Sequence, residues 1–129
     1  MSIAQSKTTY RMGSGRAIKS APASDNGITV TVKKSNLTEA THYPDGFIKE
    51  LTWFVTDDTD PGYVIPANGT VPTDGKVYCM KSNTPVSDAG GTVVFGAWHT
   101  GVGFYDVAAP AAAADKEQAE AQGFSFWAF

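Results

Sequence analysis

Apolar and polar positions alternate strictly over residues 28–32, where Ile28, Val30 and Val32 are separated by threonines. A period of two, built from β-branched residues, is typical of a strand that buries one face. The same alternation recurs over residues 76–81, in which Cys79 lies among apolar and aromatic neighbours. Both segments are therefore predicted to be strands, and Cys79 is predicted to be a buried, unreactive thiol.

Residues 47–56 form the longest apolar-rich segment, and large apolar side chains occupy both parities of it. This pattern predicts one strand that is covered on both faces or lies at an interface. Residues 36–43 continue the first strand in a weaker alternating pattern, and Pro44 and Gly46 mark the turn between these two segments.

Residues 92–99 and 102–107 are two further strand candidates, separated by Thr100 and Gly101. Such a two-residue connection predicts a β-hairpin. Pro66 and Pro72 lack backbone donors, so the short segments that contain them are expected at a sheet edge or in a loop.

These segments recur at intervals typical of antiparallel β folds. We therefore predict a mainly β protein, with a small antiparallel β sandwich or barrel over residues 27–107. Residues 1–26 are predicted to form an extended N-terminal arm. Residues 108–129 are predicted to form a short C-terminal helix plus an aromatic tail.

The helix is predicted over residues 110–123. Pro110 suits its first turn, alanines favour its interior, and Gly123 suits its C-terminal stop. Because alanine provides its only apolar surface, we expect a spacer that packs closely against a neighbour. Four of the six residues after it are aromatic. This tail either closes its own sheet as a last strand or docks on a neighbouring molecule, and docking on a neighbour is the prediction.

The net charge of the chain is −3, but basic and acidic residues are unevenly distributed along it. Residues 1–34 carry a net charge of +5, and the remaining 95 residues carry −8. A basic arm joined to an acidic body suggests an acidic partner. Its basic residues are too widely spaced for a nucleic-acid-binding cluster, and the acidic body would repel phosphate, so nucleic acid is not the expected partner.

No arrangement of side chains in the sequence predicts catalysis. His42 and His99 are the only histidines, and no serine motif accompanies them, so both are expected at the surface or at a sheet edge. Asp57, Asp58 and Asp60 lack the spacing of an EF-hand, and they are expected to cap backbone N–H groups in a solvated turn. The sequence thus predicts a non-enzymatic protein with no cofactor and no metal site.

The arm "MSIAQSKTTYRMGSGR", the strand "GITVTVKK" and the Ala-rich "PAAAADKEQAEAQ" with its aromatic end form an organisation rather than a motif. It resembles that of small structural proteins of tailed-bacteriophage virions, especially capsid decoration (cement) proteins. The resemblance implies a subunit that stabilises a capsid lattice through terminal arms. Alternatives are a tail tube or head–tail connector subunit, and a carbohydrate-binding module.

The partners implied are neighbouring copies, in a homotrimer or other homo-oligomer, and a major capsid or other virion protein. Without a signal peptide or an apolar span, we expect synthesis in a host cytoplasm, location in the virion and no membrane partner. The residues predicted to contact partners are basic or aromatic and lie near the two ends of the chain: Lys7, Tyr10, Arg11, Arg16, Lys19, Phe124, Phe126, Trp127 and Phe129.

Overall fold

A computed structural model of the chain describes residues 18–20, by their backbone, and residues 27–128. The first half of the fold contains β1 (Ile18–Ser20), β2 (Gly27–Lys33), α1 (Glu39–His42), β3 (Phe47–Ile48), β4 (Trp53–Thr56) and β5 (Val64–Pro66). The second half contains β6 (Val77–Met80), β7 (Thr84–Pro85), β8 (Thr92–Trp98), β9 (Gly103–Tyr105), α2 (Ala113–Ala121) and β10 (Ser125–Trp127). Short 3₁₀ turns follow β2 at Lys34–Asn36 and β9 at Asp106–Ala108.

Five strands close a barrel in the order β2-β5-β4-β6-β8, and β8 returns to β2. The pairs are antiparallel except for β2 with β5, which meet in parallel at Val32 and Val64. A second sheet has the order β1-β9-β10, and β3 pairs with β7 outside both. The prediction of a mainly β, antiparallel fold with a short C-terminal helix is confirmed, and the architecture is a barrel.

The barrel interior forms one apolar core, to which all five strands contribute. We call this the inner core, and its buried members are Val30, Val32, Leu37, Ile48, Phe54, Val64, Met80, Val93, Phe95 and Ala97. The strict alternation of β2 explains its contribution, since Val30 and Val32 point inward and the intervening Thr31 does not.

The opposite face of β4 and β6 forms a second apolar core with the small sheet and α2. We call this the outer core, and its buried members are Trp53, Val55, Val77, Cys79, Trp98, Val102, Phe104, Ala119 and Phe124. Residues 53–55 of β4 are all buried, because the two faces of this strand belong to different cores. The prediction that both parities of the 47–56 segment are covered is thus confirmed for β4.

The single strand predicted over residues 47–56 is wrong in extent, because it splits into β3 and β4. Leu51 lies between them with a φ of 66°, a left-handed conformation that interrupts the extended backbone of a strand. Its N–H nevertheless donates to the carbonyl of Met80, so the interruption stays anchored to β6. Residues 36–43 also differ from the predicted strand continuation. They form a 3₁₀ turn and α1, whose N-cap Thr38 donates its N–H to Nδ1 of His42.

The hairpin predicted over residues 92–107 is wrong, because β8 and β9 belong to different sheets. Gly101 does turn the chain, with a φ of 74°. Both edges of β8 are already occupied, however, by β2 and by β6, so β9 pairs with β1 and β10 instead. The residues at the turn correctly predicted a bend in the chain, but they did not predict which strands β8 and β9 pair with.

The structure also corrects two expectations about proline and the helix. Pro66 lies in β5 within the closed barrel rather than at a sheet edge, and its missing donor is tolerated because Val64 alone pairs with β2. The helix is confirmed as α2, but it begins at Ala113 with Ala112 as its N-cap, so Pro110 precedes the helix instead of lying in its first turn; it ends before Gly123, whose φ is 106°. It does not act as a spacer to a neighbour, because its Ala119 is buried in the outer core of the same chain.

Candidate interface at one end of the small sheet

The small sheet brings together β1 and β10, the first and last strands that the structure describes. Strand β1 runs antiparallel to β9, with Ile18 opposite Phe104. Strand β10 runs parallel to β9, with Phe126 opposite Phe104 and Trp127 opposite Tyr105. This register means that the chain preceding Ile18 and the chain following Trp127 both join the sheet at its Tyr105 end.

The inner face of this sheet is aromatic and covers the outer core. The Phe124 ring centroid lies 5.1 Å from that of Trp53, in an edge-to-face arrangement, and the Phe126 centroid lies 5.9 Å from the same ring. Phe104 stacks on Phe124 and Phe126 at 5.9 and 6.1 Å. The Trp53 indole N–H donates to the carbonyl of Ala108 at 2.6 Å, so the polar atom of this buried ring is satisfied.

The Tyr105 end of the sheet exposes large apolar side chains. Trp127 is 49% exposed, and Val107, which follows β9 in the 3₁₀ turn, is 74% exposed. Tyr105 is half-buried. The ammonium of Lys116 on α2 lies 5.7 Å from the ring centroid of Phe126, which adds a cationic group beside the sheet. We call Tyr105, Val107 and Trp127 the aromatic end.

The predicted partner-binding residues fall into four groups. Phe124 is a correction: it is 3% exposed and packs in the outer core, because β10 returns to its own chain instead of extending to a neighbour. Phe126 is half-buried and Trp127 is exposed, so both stay predictions as contact residues. Lys19 lies in β1, for which the backbone alone is described. Lys7, Tyr10, Arg11, Arg16 and Phe129 lie outside the described residues.

Charge differs between the two parts that meet at this sheet. Residues 1–17 carry three basic residues and no acidic residue, and residues 27–128 carry six basic and twelve acidic residues. The sequence that leads into β1 is therefore cationic, while the body that carries the aromatic end is anionic.

The C-terminal segment is held on the barrel by the side-chain amide of Gln122. Its Oε1 accepts the N–H of Val77 at 2.7 Å, and its Nε2 donates to the carbonyls of Val77 and His99, both at 2.8 Å. Pairing of β6 with β8 reaches Cys79 and Trp98, so this amide continues the ladder where β8 has turned away. The Thr100 hydroxyl donates to the Gln122 carbonyl. Sequence reasoning missed Gln122, since nothing in a polar residue at a helix end signals a long-range partner.

The side chains considered for chemistry have structural roles. Asp57 caps the N–H of Thr59 at 3.0 Å, as predicted, although it is buried rather than solvated. Asp60 pairs with Lys33 at 3.0 Å, and this hydrogen bond raises the pKa of the lysine. Cys79 is fully buried, as predicted, and burial raises the pKa of its thiol well above the usual value. Within residues 18–20 and 27–128, no three His, Cys, Asp or Glu side chains cluster to hold a metal ion.

Comparison of the chain with protein families, with curated proteins and with solved structures finds no match. In the part of the chain that the structure describes, no helix has the length and apolar character needed to cross a bilayer.

Proposed function

We propose that this protein is a non-enzymatic virion structural subunit, of the capsid decoration (cement) class, which stabilises a lattice through the segments at the two ends of its chain. The observation that supports this proposal is the register of the small sheet, which joins both segments to the fold beside the aromatic end. The surface at the aromatic end would then contact the lattice, and the barrel would project from that surface.

The chemistry of this end suits a protein partner. Tryptophan and tyrosine carry a large share of interface energy where they are covered, and Trp127 leaves half of its surface exposed. The basic residues Lys7, Arg11 and Arg16 are joined to the same sheet and would pair with acidic groups of a capsid protein or of a neighbouring acidic body. Oligomerisation, as a homotrimer or another homo-oligomer, would multiply these contacts through effective concentration.

The experiment measures occupancy of capsids assembled without this protein, using the intact chain and two variants. Trp127→Ala removes the exposed ring, and we expect affinity to fall about thirtyfold if the ring is an interface anchor. A triple variant with alanine at Lys7, Arg11 and Arg16 should bind more weakly and lose most of its salt dependence, because exposed charges are screened over about 10 Å at 0.1 M salt.

Val94→Ala is the matched control, since Val94 is also an exposed apolar residue but lies on barrel strand β8. It should bind like the parent chain. If both test variants bind capsids as tightly as Val94→Ala, the proposal is wrong. Stoichiometry separates the nearest alternative, because a tail tube or head–tail connector subunit would form a ring of fixed copy number rather than occupy lattice joints.

A carbohydrate-binding module would use exposed aromatic rings, tryptophans above all, as a platform for a sugar. Trp53 and Trp98 are buried in the outer core and present no platform to a sugar.

A further inference from the structure

The loop after β5 brings an Asn–Gly pair against a buried carboxylate. Asn68 is exposed, and Gly69 follows it with a φ of 86°. The N–H of Gly69 donates to Oδ2 of Asp115 at 3.0 Å. Asp115, in the first turn of α2, is 1% exposed, and its other oxygen, Oδ1, is buried with no hydrogen-bond partner. An incompletely satisfied buried carboxylate is costly and calls for a physical account.

The side-chain amide of Asn68 is held in place by the following residue. Its Oδ1 accepts the N–H of Thr70 at 2.9 Å. This contact turns the side chain back over the peptide that links Asn68 to Gly69. Glycine is required here, because of its positive φ and because an added Cβ would approach the Cβ of Ala112 to 3.3 Å.

We propose that Asn68 is a self-modification site, at which the fold promotes deamidation through a succinimide. Asp115 Oδ2 takes the proton from the Gly69 nitrogen to which it is hydrogen-bonded, and that nitrogen attacks Cγ of Asn68. The bond from Cγ to Nδ2 breaks, and Nδ2 leaves with the proton as ammonia. Water then opens the ring at either carbonyl, which yields aspartate or isoaspartate at position 68.

Each group matches a requirement of the reaction. Negative charge develops on Oδ1 of Asn68 during attack, and the Thr70 N–H that donates to this oxygen stabilises the charge. A carboxylate in hydrogen-bond contact with the proton that it must accept satisfies the geometry of a general base. Gly69 adds no side chain to obstruct the five-membered ring.

Modification would also change the fold around it. The Gly69–Asp115 hydrogen bond links this loop to α2 across the sequence, and α2 covers the outer core through Ala119. Deamidation adds a negative charge at the residue before Gly69, whose N–H donates to the buried Asp115 carboxylate, and isoaspartate lengthens the backbone. The product is therefore expected to loosen α2 from the barrel.

The test follows the amide-to-acid mass change at Asn68 by peptide mapping of the full chain during incubation at neutral pH. Asp115→Asn keeps the shape of the side chain but cannot take a proton, and we expect deamidation at Asn68 to slow at least about tenfold. The Asn26–Gly27 pair in the same chain is the internal control, and its rate should not change between the two proteins.

A second measurement needs no variant and holds even if Asp115→Asn fails to fold. Deamidation at Asn68 in the native chain is compared with that in the same chain unfolded in urea at the same pH, and the native rate should be at least about tenfold higher. A native rate equal to or below the unfolded rate overturns the proposal, because the Gly69–Asp115 contact would then protect the loop. An equal or faster rate in a folded Asp115→Asn chain overturns it too.

Discussion

Replacing Gln122 with alanine tests whether one side-chain amide holds the C-terminal segment on the barrel. The change removes three hydrogen bonds to backbone groups, two at Val77 and one at His99. Val77 is fully buried, so its N–H cannot turn to water instead. At about 1 kcal/mol net for each bond, we expect the free energy of unfolding to fall by about 3 kcal/mol.

Gln118→Ala is the matched control, because it makes the same chemical change one helical turn earlier. Gln118 donates a single hydrogen bond, to Oε1 of Gln122 at 3.0 Å, so its loss should cost about 1 kcal/mol or less. Gln118 lies inside α2 and Gln122 is its C-cap, so the gain in helix propensity from alanine applies to Gln118→Ala and further reduces the cost expected of the control.

The assay is equilibrium denaturation in urea, read by tryptophan fluorescence, with hydrogen exchange at the Val77 amide as a local measure. Gln122→Ala should lower the transition midpoint more than Gln118→Ala and should accelerate exchange at Val77. If the two variants differ by less than about 1 kcal/mol and exchange at Val77 is unchanged, the amide does not anchor the segment and the reasoning is refuted.

Three further substitutions probe the same segment and its core. Phe124→Ala should lower the free energy of unfolding by about 3–5 kcal/mol in urea denaturation, and a loss below about 1 kcal/mol would contradict its burial. Gly123→Ala should lower the free energy of unfolding by about 1–3 kcal/mol, because Gly123 has a φ of 106° and an added Cβ would lie 2.6 Å from the Thr100 hydroxyl. Gly91→Ala is the control and should be nearly neutral, because an added Cβ at Gly91 would meet no atom within 4 Å. Burial raises the pKa of the Cys79 thiol in the folded chain, so the unfolded chain loses this proton at lower pH. The free energy of unfolding should therefore fall as pH rises above about 8.5, and this pH dependence should be weaker in Cys79→Ala.

The local sequence pattern correctly predicted features that depend on a single strand or on one end of a helix. The alternation of residues 28–32 identified β2 and its inward valines, and Gly123 marked the end of α2. Cys79 was predicted to be buried because its strand alternates and carries few polar residues. In each case, the physical reason lies within a few residues of the chain.

The local sequence pattern did not predict which strands pair when they lie far apart in the chain. The turn at Gly101 is real, but the partners of β8 are set by β2 and β6, which lie far away in the sequence. The same limitation applies to the aromatic tail. Phe124 returns to its own chain because β9 offers an edge and Trp53 offers a ring, and neither is visible from residues 124–129. The contact of Gly69 with Asp115 likewise spans 46 positions.

Because β4 and β6 contribute to two cores, the structure implies an order in which those cores can form. All five barrel strands precede α2 and β10 in the chain, so the inner core does not include the segment that covers the outer face of β4 and β6. Until that segment docks, Trp53, Val55 and Val77 present an apolar surface to solvent, a state in which chains are prone to aggregate. A chain that ends after residue 112 should therefore aggregate more readily than the full chain, although it contains all five barrel strands.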